Sequence, residues 1–152
     1  MLLFRLLLSL QISPGWWALM GAFLVDHIPE LIALAVLLGL SGFFSGSEAA
    51  LMSLTREQIR AYERGPGRAG KTILRLLADP RLFLATVLVG NTFVNICFYS
   101  VSFRLSQKVS DVSPWWAGVF GVASLFLVII FGEVTPKSLA VMRPETFSRM
   151  AA

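Results

Sequence analysis

The chain has 152 residues, of which 56% are hydrophobic and only 14% charged, and its mean hydropathy is +0.73. An average soluble domain carries roughly 25% charged residues, so this balance excludes a disordered chain and a soluble nucleic-acid-binding module and points to a polytopic membrane protein in a lipid bilayer. One cysteine, Cys97, and one histidine, His27, exclude an internal disulfide, a Cys-cluster metal site and a multi-His zinc site.

Residues 1–30 come first and are the hardest to read. Leu2–Leu10 is apolar but interrupted by Arg5, and Pro14-Gly15 breaks the run before Trp16-Trp17. Three readings stay open: a cleaved signal peptide, an interfacial or re-entrant segment anchored by the tryptophans, or a full extra span from Leu2 to Val25. Residues 1–30 are therefore set apart as an external or interfacial segment.

Three long apolar stretches follow, from about Leu31 to Leu54, Leu82 to Phe103 and Trp115 to about Met142. Each reaches the roughly 20 helical residues needed to cross a hydrocarbon core. The third contains Pro136 and is expected to break near Gly132–Pro136. The expected fold is an all-α membrane protein with three transmembrane helices and short interfacial or juxtamembrane helices. Its transport domain would cover residues 31–145, and 146–152 would begin a juxtamembrane segment.

The net charge of +4 is unevenly spread. Seven of the 13 basic residues lie between Arg56 and Arg81. Apolar spans flank this loop, so the positive-inside rule explains it better than a nucleic-acid partner does. Arg56, Arg60 and Arg64 recur at i, i+4 and would line one helix face at the membrane surface. Arg104, Lys108 and Asp111 are assigned to an external loop, and Lys137, Arg143 and Arg149 to the inside. The three spans then run N-outside to C-inside, with the C-terminus cytoplasmic and the chain in the inner (plasma) membrane.

Polar groups inside spans are costly and usually have a reason. The first span carries Ser41, Ser45, Ser47 and Glu48, the second Thr86, Asn91, Thr92 and Asn95, and the third Glu133 and Thr135. Ser41/Ser45 and Asn91/Asn95 are i, i+4 pairs, so each pair shares a helix face. Ser45, Asn91 and Glu133 lie 11, 10 and 10 residues from Arg56, Arg81 and Arg143. At ~1.5 Å per residue, all three sit roughly 15 Å from the basic surface, near mid-membrane. One carboxylate with hydroxyl and amide oxygens is the ligand set of a hard cation, and the carboxylate favours a divalent one. A helix break near Gly132 and Pro136 would free backbone carbonyls as further ligands.

Each polar residue also has a plainer reading. A lone Ser or Thr in a span usually bonds the carbonyl four residues back, and two asparagines on one face often bond across helices. Glu48 is expected to pair with a loop arginine, His27 to sit in external solvent, and Cys97 to act as a small buried hydrophobe. Gly42-x-x-x-Gly46 permits close helix approach, either around the polar site or at a dimer contact. No nucleophile–base set, phosphate loop or cofactor motif suggests an enzyme.

The motifs Leu40-Ser41-Gly42-Phe43-Phe44-Ser45-Gly46-Ser47-Glu48, Leu88-Val89-Gly90-Asn91-Thr92-Phe93-Val94-Asn95 and Phe131-Gly132-Glu133-Val134-Thr135-Pro136-Lys137 fall one per span. In order and spacing, residues 31–145 resemble the membrane domain of the CorC / cyclin M (CNNM) family of magnesium transport proteins, on its bacterial side. The resemblance implies a homodimer with three spans per protomer and juxtamembrane helices, followed in the family by cytoplasmic CBS domains that are expected to be missing from this chain. It also implies Mg²⁺ export coupled to Na⁺ entry. Carried over by motif, the Mg²⁺ ligands would be Ser45, Asn91, Glu133 and the Gly132 carbonyl, with Ser41 and Asn95 as neighbours or additional ligands. The alternative function is a Mg²⁺-sensing membrane domain that moves no ions, and a third reading is a structural anchor.

Overall fold

The computed structural model describes Gly21 and residues 25–65, 67–111 and 113–151. The readings of residues 1–20 as signal peptide, anchor or extra span lie outside the described residues. Residues 33–152 form one compact unit, which carries everything described below except the start of the first span and His27.

Among the described residues the chain is helical throughout, with no strand. The helices are α1 (Ile28–Met52), α2 (Arg56–Arg64), α3 (Arg68–Ala78), α4 (Pro80–Ser110), α5 (Pro114–Leu127), a π-helical segment (Val128–Val134), α6 (Thr135–Met142) and α7 (Pro144–Ala151). Three candidate spans emerge: α1, α4, and the continuous run from Pro114 to Met142. Few of their residues are buried within the chain, and Leu88, Val89, Phe93, Ile96 and Phe103 are all exposed. A helix apolar on all sides, with every backbone group bonded internally, is suited to lipid rather than water.

The second span differs from its sequence reading at its end. Arg104 and Lys108 belong to α4 and not to a loop, because nothing between Phe103 and Ser110 can stop a helix. The helix runs on until Asp111, just ahead of Pro114, which opens α5. Its beginning is defined by Asp79, whose side chain accepts from the Leu82 N–H at 3.1 Å, and by Pro80 in the first turn.

The basic loop folds into two short helices. Thr55 caps α2 through a reciprocal box: the Gln58 N–H donates to Thr55 Oγ1, and the Thr55 N–H donates to Gln58 Oε1. Arg56, Arg60 and Arg64 then fall on α2 and are all exposed. Tyr62 of α2 and Ile73 of α3 turn inward against Leu51 at the end of α1, with Leu54, Leu74, Leu76, Leu77 and Phe83 around them. This cluster ties the hairpin to the roots of the first two spans. α7 packs against α3 and α6, and Gln58 Nε2 donates to Glu145 Oε1 at 3.1 Å. The Arg149 guanidinium lies 6.0 Å from the Tyr62 ring centroid.

Ile73 has no exposed surface. Truncating it leaves a cavity that the cluster cannot fill, so Ile73→Ala should cost about 2–4 kcal/mol. A fall in the thermal unfolding midpoint of the detergent-solubilised protein measures this. A surface control such as Arg75→Ala should barely move it, since Arg75 is exposed.

Candidate cation site

The expected break in the third span takes the form of a π-helical stretch, not an interruption. The Thr135 N–H donates to Ile130 O, five residues back. Pro136 has no N–H to offer Phe131 O in the same series. π-bulges of this kind often mark functional sites. The wider turn brings Gly132 and Glu133 against α1. A Cβ built on Gly132 would lie 2.9 Å from Ser41 Oγ and 3.3 Å from Ser41 Cβ, so only glycine permits this approach.

On α1, the small face works the same way. A Cβ on Gly42 would meet Pro136 Cγ at 3.1 Å and Phe131 O at 3.4 Å, and one on Gly46 would meet Phe147 and Pro136 at 3.5–3.6 Å. The Gly42-x-x-x-Gly46 pattern therefore packs within the chain, against the third span and α7. On the other side, Gly90 of α4 makes room for the Phe44 ring.

These approaches bring all six polar positions together. Ser41 and Ser45 are each 1% exposed. Ser41 Oγ lies 2.8 Å from Asn95 Oδ1 and 3.1 Å from Asn91 Oδ1. Asn95 Nδ2 donates to Glu133 Oε1 at 3.3 Å, which turns the Asn95 oxygen toward Ser41. Ser45 Oγ donates to the Glu133 carbonyl at 3.4 Å, one turn nearer the basic end. Ser41, rather than Ser45, is thus the serine bonded to the asparagines.

The Ser41 hydroxyl has a single proton for two amide oxygens. Two amide oxygens, a hydroxyl and a carboxylate gather where three helices meet. Carboxylate, hydroxyl and amide oxygens are the donor types that hard cations take. Among the described residues, no three His, Cys, Asp or Glu side chains form a metal-binding group, so any ion here meets one carboxylate and otherwise neutral oxygens. In Ser41→Ala the two amide oxygens lose their shared donor. The thermal unfolding midpoint of the detergent-solubilised protein should fall by an amount corresponding to about 1–3 kcal/mol.

The remaining polar residues follow the plainer rule. Thr86, Thr92 and Ser100 each donate at 2.8 Å to the carbonyl four residues back, and Ser47 donates to Phe43 O at 2.6 Å. Cys97 is half-buried, and so is His27, which was expected in solvent. Glu48 pairs with Lys137 Nζ at 3.4 Å instead of with a loop arginine. The sequence signal for Lys137 was its place four residues after Glu133, on the same helix face.

Comparison with known proteins agrees with this architecture. The pattern of the family described as the cyclin M transmembrane N-terminal domain (CNNM) matches residues 31–152. The chain belongs to the CNNM family. The UPF0053 inner membrane protein YfjD of Escherichia coli is 34% identical over 107 residues, 70% of this chain and 24% of that protein. A UPF0053 protein of Synechocystis is 31% identical over 129 residues, 76% of this chain and 29% of its own length. A chloroplastic DUF21 domain-containing protein of Arabidopsis thaliana is 35% identical over 122 residues, 78% of this chain and 18% of that protein. The chain therefore spans less than a third of the length of these relatives. All the polar site residues lie inside the matched CNNM segment.

Proposed function

We propose that this CNNM domain carries Mg²⁺ across the membrane through the cluster formed by Ser41, Ser45, Asn91, Asn95, Gly132 and Glu133. The observation that carries the reading is the convergence of Asn91 and Asn95 oxygens on Ser41, with Glu133 bonded to Asn95. Mg²⁺ sheds water reluctantly and demands short oxygen contacts. A site between three helices can replace several waters at once, and Glu133 supplies the only carboxylate bonded to this cluster among the described residues.

Neutral oxygens also suit Na⁺, which supports exchange of Mg²⁺ for Na⁺ at or near the same cluster. The positive-inside rule supports a cytoplasmic side for the end of the spans that carries the basic hairpin, and with it for the C-terminal helix. The π-helical turn at Val128–Val134 supports a third span that repacks as access alternates. The family resemblance adds a homodimer as the working unit.

Reconstitution of the full-length protein in liposomes tests this. Mg²⁺ entering or leaving the vesicles, followed with a fluorescent Mg²⁺ indicator, should require the protein and respond to an imposed Na⁺ gradient. Saturable binding without flux would make the domain a Mg²⁺ sensor. Flux indifferent to Na⁺ would remove the coupling and leave Mg²⁺ transport.

A further inference from the structure

Gly39, Gly42 and Gly46 share one face of α1, spaced i, i+3, i+7. Gly42 and Gly46 are explained from within the chain, the first by Pro136 and Phe131, the second by Phe147 and Pro136. Gly39 is not: among the described residues, a Cβ built there meets nothing within 4 Å. Glycine weakens a helix interior, and its use there is to let another body approach the backbone closely. The described chain supplies no body that needs position 39 bare.

Gly39 opens onto a groove of about 310 Å³ between α1, α6 and α7, lined by Gly39, Gly42, Phe43, Pro136, Leu139 and Phe147 and almost wholly apolar. That volume is at the small end of sites that hold small molecules, roughly 300–1,000 Å³, and the groove is slight for a second helix about 10 Å across. Gly39 lies 13 residues before Met52, the basic end of α1, or ~20 Å at ~1.5 Å per residue. The groove thus covers about the depth of one leaflet, half of a ~30 Å hydrocarbon core. Arg143 stands at its basic end. The Arg143 N–H donates to Leu139 O at 3.1 Å, and its carbonyl accepts from the Phe147 N–H at 3.3 Å, which fixes it between two lining residues. Its side chain is exposed, and among the described residues no carboxylate forms an ion pair with it. Glu145, two residues on, is engaged by Gln58 Nε2 at 3.1 Å.

We propose that this groove binds an anionic phospholipid from the leaflet on the basic side, with one acyl chain along Gly39 and Gly42 and the phosphate held by the Arg143 guanidinium. In a bilayer every outer face meets lipid, so shape and charge, not apolarity, select an occupant. The bare backbone at Gly39 supplies the shape, since a methylene chain can lie where a side chain would stand. Arg143 supplies the charge: guanidinium pairs with phosphate in a two-pronged geometry, and cations near the surface favour anionic headgroups. The groove touches α1, α6 and α7, so a lipid seated in it braces the third span and the C-terminal helix against the first span. The site is independent of any ion at Glu133.

The test is the thermal unfolding midpoint of the delipidated protein in detergent, titrated with phosphatidylglycerol or with phosphatidylethanolamine of the same acyl chains. Phosphatidylglycerol should raise the midpoint saturably, by about 5 °C, and phosphatidylethanolamine by about half as much or less. Gly39→Leu places a side chain in the groove, and its Cβ meets no neighbour within 4 Å. It should therefore fold at least as well as wild type without lipid, leucine being the better helix former, and lose the lipid response. Arg143→Gln changes an exposed side chain and leaves the groove open, so it should erase the difference between the two lipids. It carries the test alone if Gly39→Leu folds poorly. Native mass spectrometry should find one phosphatidylglycerol retained per chain, lost in Gly39→Leu. Equal responses to both lipids in the wild type, or a phosphatidylglycerol response that survives both substitutions, would overturn the proposal. A lipid response unchanged in Gly39→Leu, with dimers falling to monomers, would give the groove to a second copy of the chain and overturn it as well.

Discussion

Glu133→Ala should abolish saturable Mg²⁺ binding and Mg²⁺ flux while the protein stays folded. The Glu133 side chain makes one hydrogen bond given by the geometry, from Asn95 Nδ2 at 3.3 Å, so its removal costs little packing. Its backbone carbonyl still accepts from Ser45, which keeps the third span against α1. The loss falls on the charge. A Mg²⁺ ion facing only neutral oxygens in a low-dielectric setting cannot repay its dehydration. An unchanged thermal midpoint together with flux at least about a hundredfold lower is the expected pair of results. Glu133→Gln should behave almost as badly, because it keeps the shape and loses the charge.

Gly132→Ala should do damage out of proportion to the one methyl it adds. The added Cβ would stand 2.9 Å from Ser41 Oγ, closer than such contacts come, and 3.3 Å from Ser41 Cβ, tighter than most. Rotating the Ser41 hydroxyl away would relieve only the first contact, and it would break the bonds to Asn91 and Asn95. The third span must therefore move off α1. Overpacking of this kind costs about 1–3 kcal/mol, only partly offset by the better helix propensity of alanine. Mg²⁺ affinity should fall along with the melting temperature. Gly46→Ala is the control: its Cβ would meet Phe147 and Pro136 at 3.5–3.6 Å, ordinary contact distance, and it should be tolerated. Equal effects of the two substitutions would show that Gly132 does not hold the site open.

Much of this was legible in the sequence because membrane physics leaves few choices. Length and apolarity mark three spans, and charge identifies the basic hairpin. Counting inward from Arg56, Arg81 and Arg143 was enough to bring serine, asparagine and glutamate positions to one level. It did not identify which serine meets the asparagines. Straight rods of 1.5 Å per residue put Ser45 level with Asn91, whereas Ser41 makes the bonds. The reason is that Arg56 opens α2, beyond the end of α1 at Met52: Ser41 lies 11 residues from Met52, as Asn91 lies 11 from Pro80.

The proline signalled a defect in the third span but not its form. Pro136 reads as a break, yet the chain absorbs it by widening the preceding turn from Val128 to Val134 and restarting at Thr135. Glu48 was assigned to a loop arginine because seven basic residues crowd the neighbouring loop. The winning partner is Lys137, far along the chain but one turn past Glu133. Pairing across helices depends on which faces meet, and the glycines at 42 and 132 decide that.

The central claim is that the three-helix oxygen cluster holds Mg²⁺, and calorimetric titration of the purified wild-type protein with MgCl₂ beside Glu133→Ala tests it most directly, with Ca²⁺ and Na⁺ as competitors. The account predicts saturable Mg²⁺ binding in the wild type, lost in the variant, and weaker competition from Ca²⁺ than an open, flexible site would allow. A folded wild-type protein that takes up no Mg²⁺, or a variant that binds it as well as wild type, would contradict the account and leave the cluster as hydrogen bonds between helices.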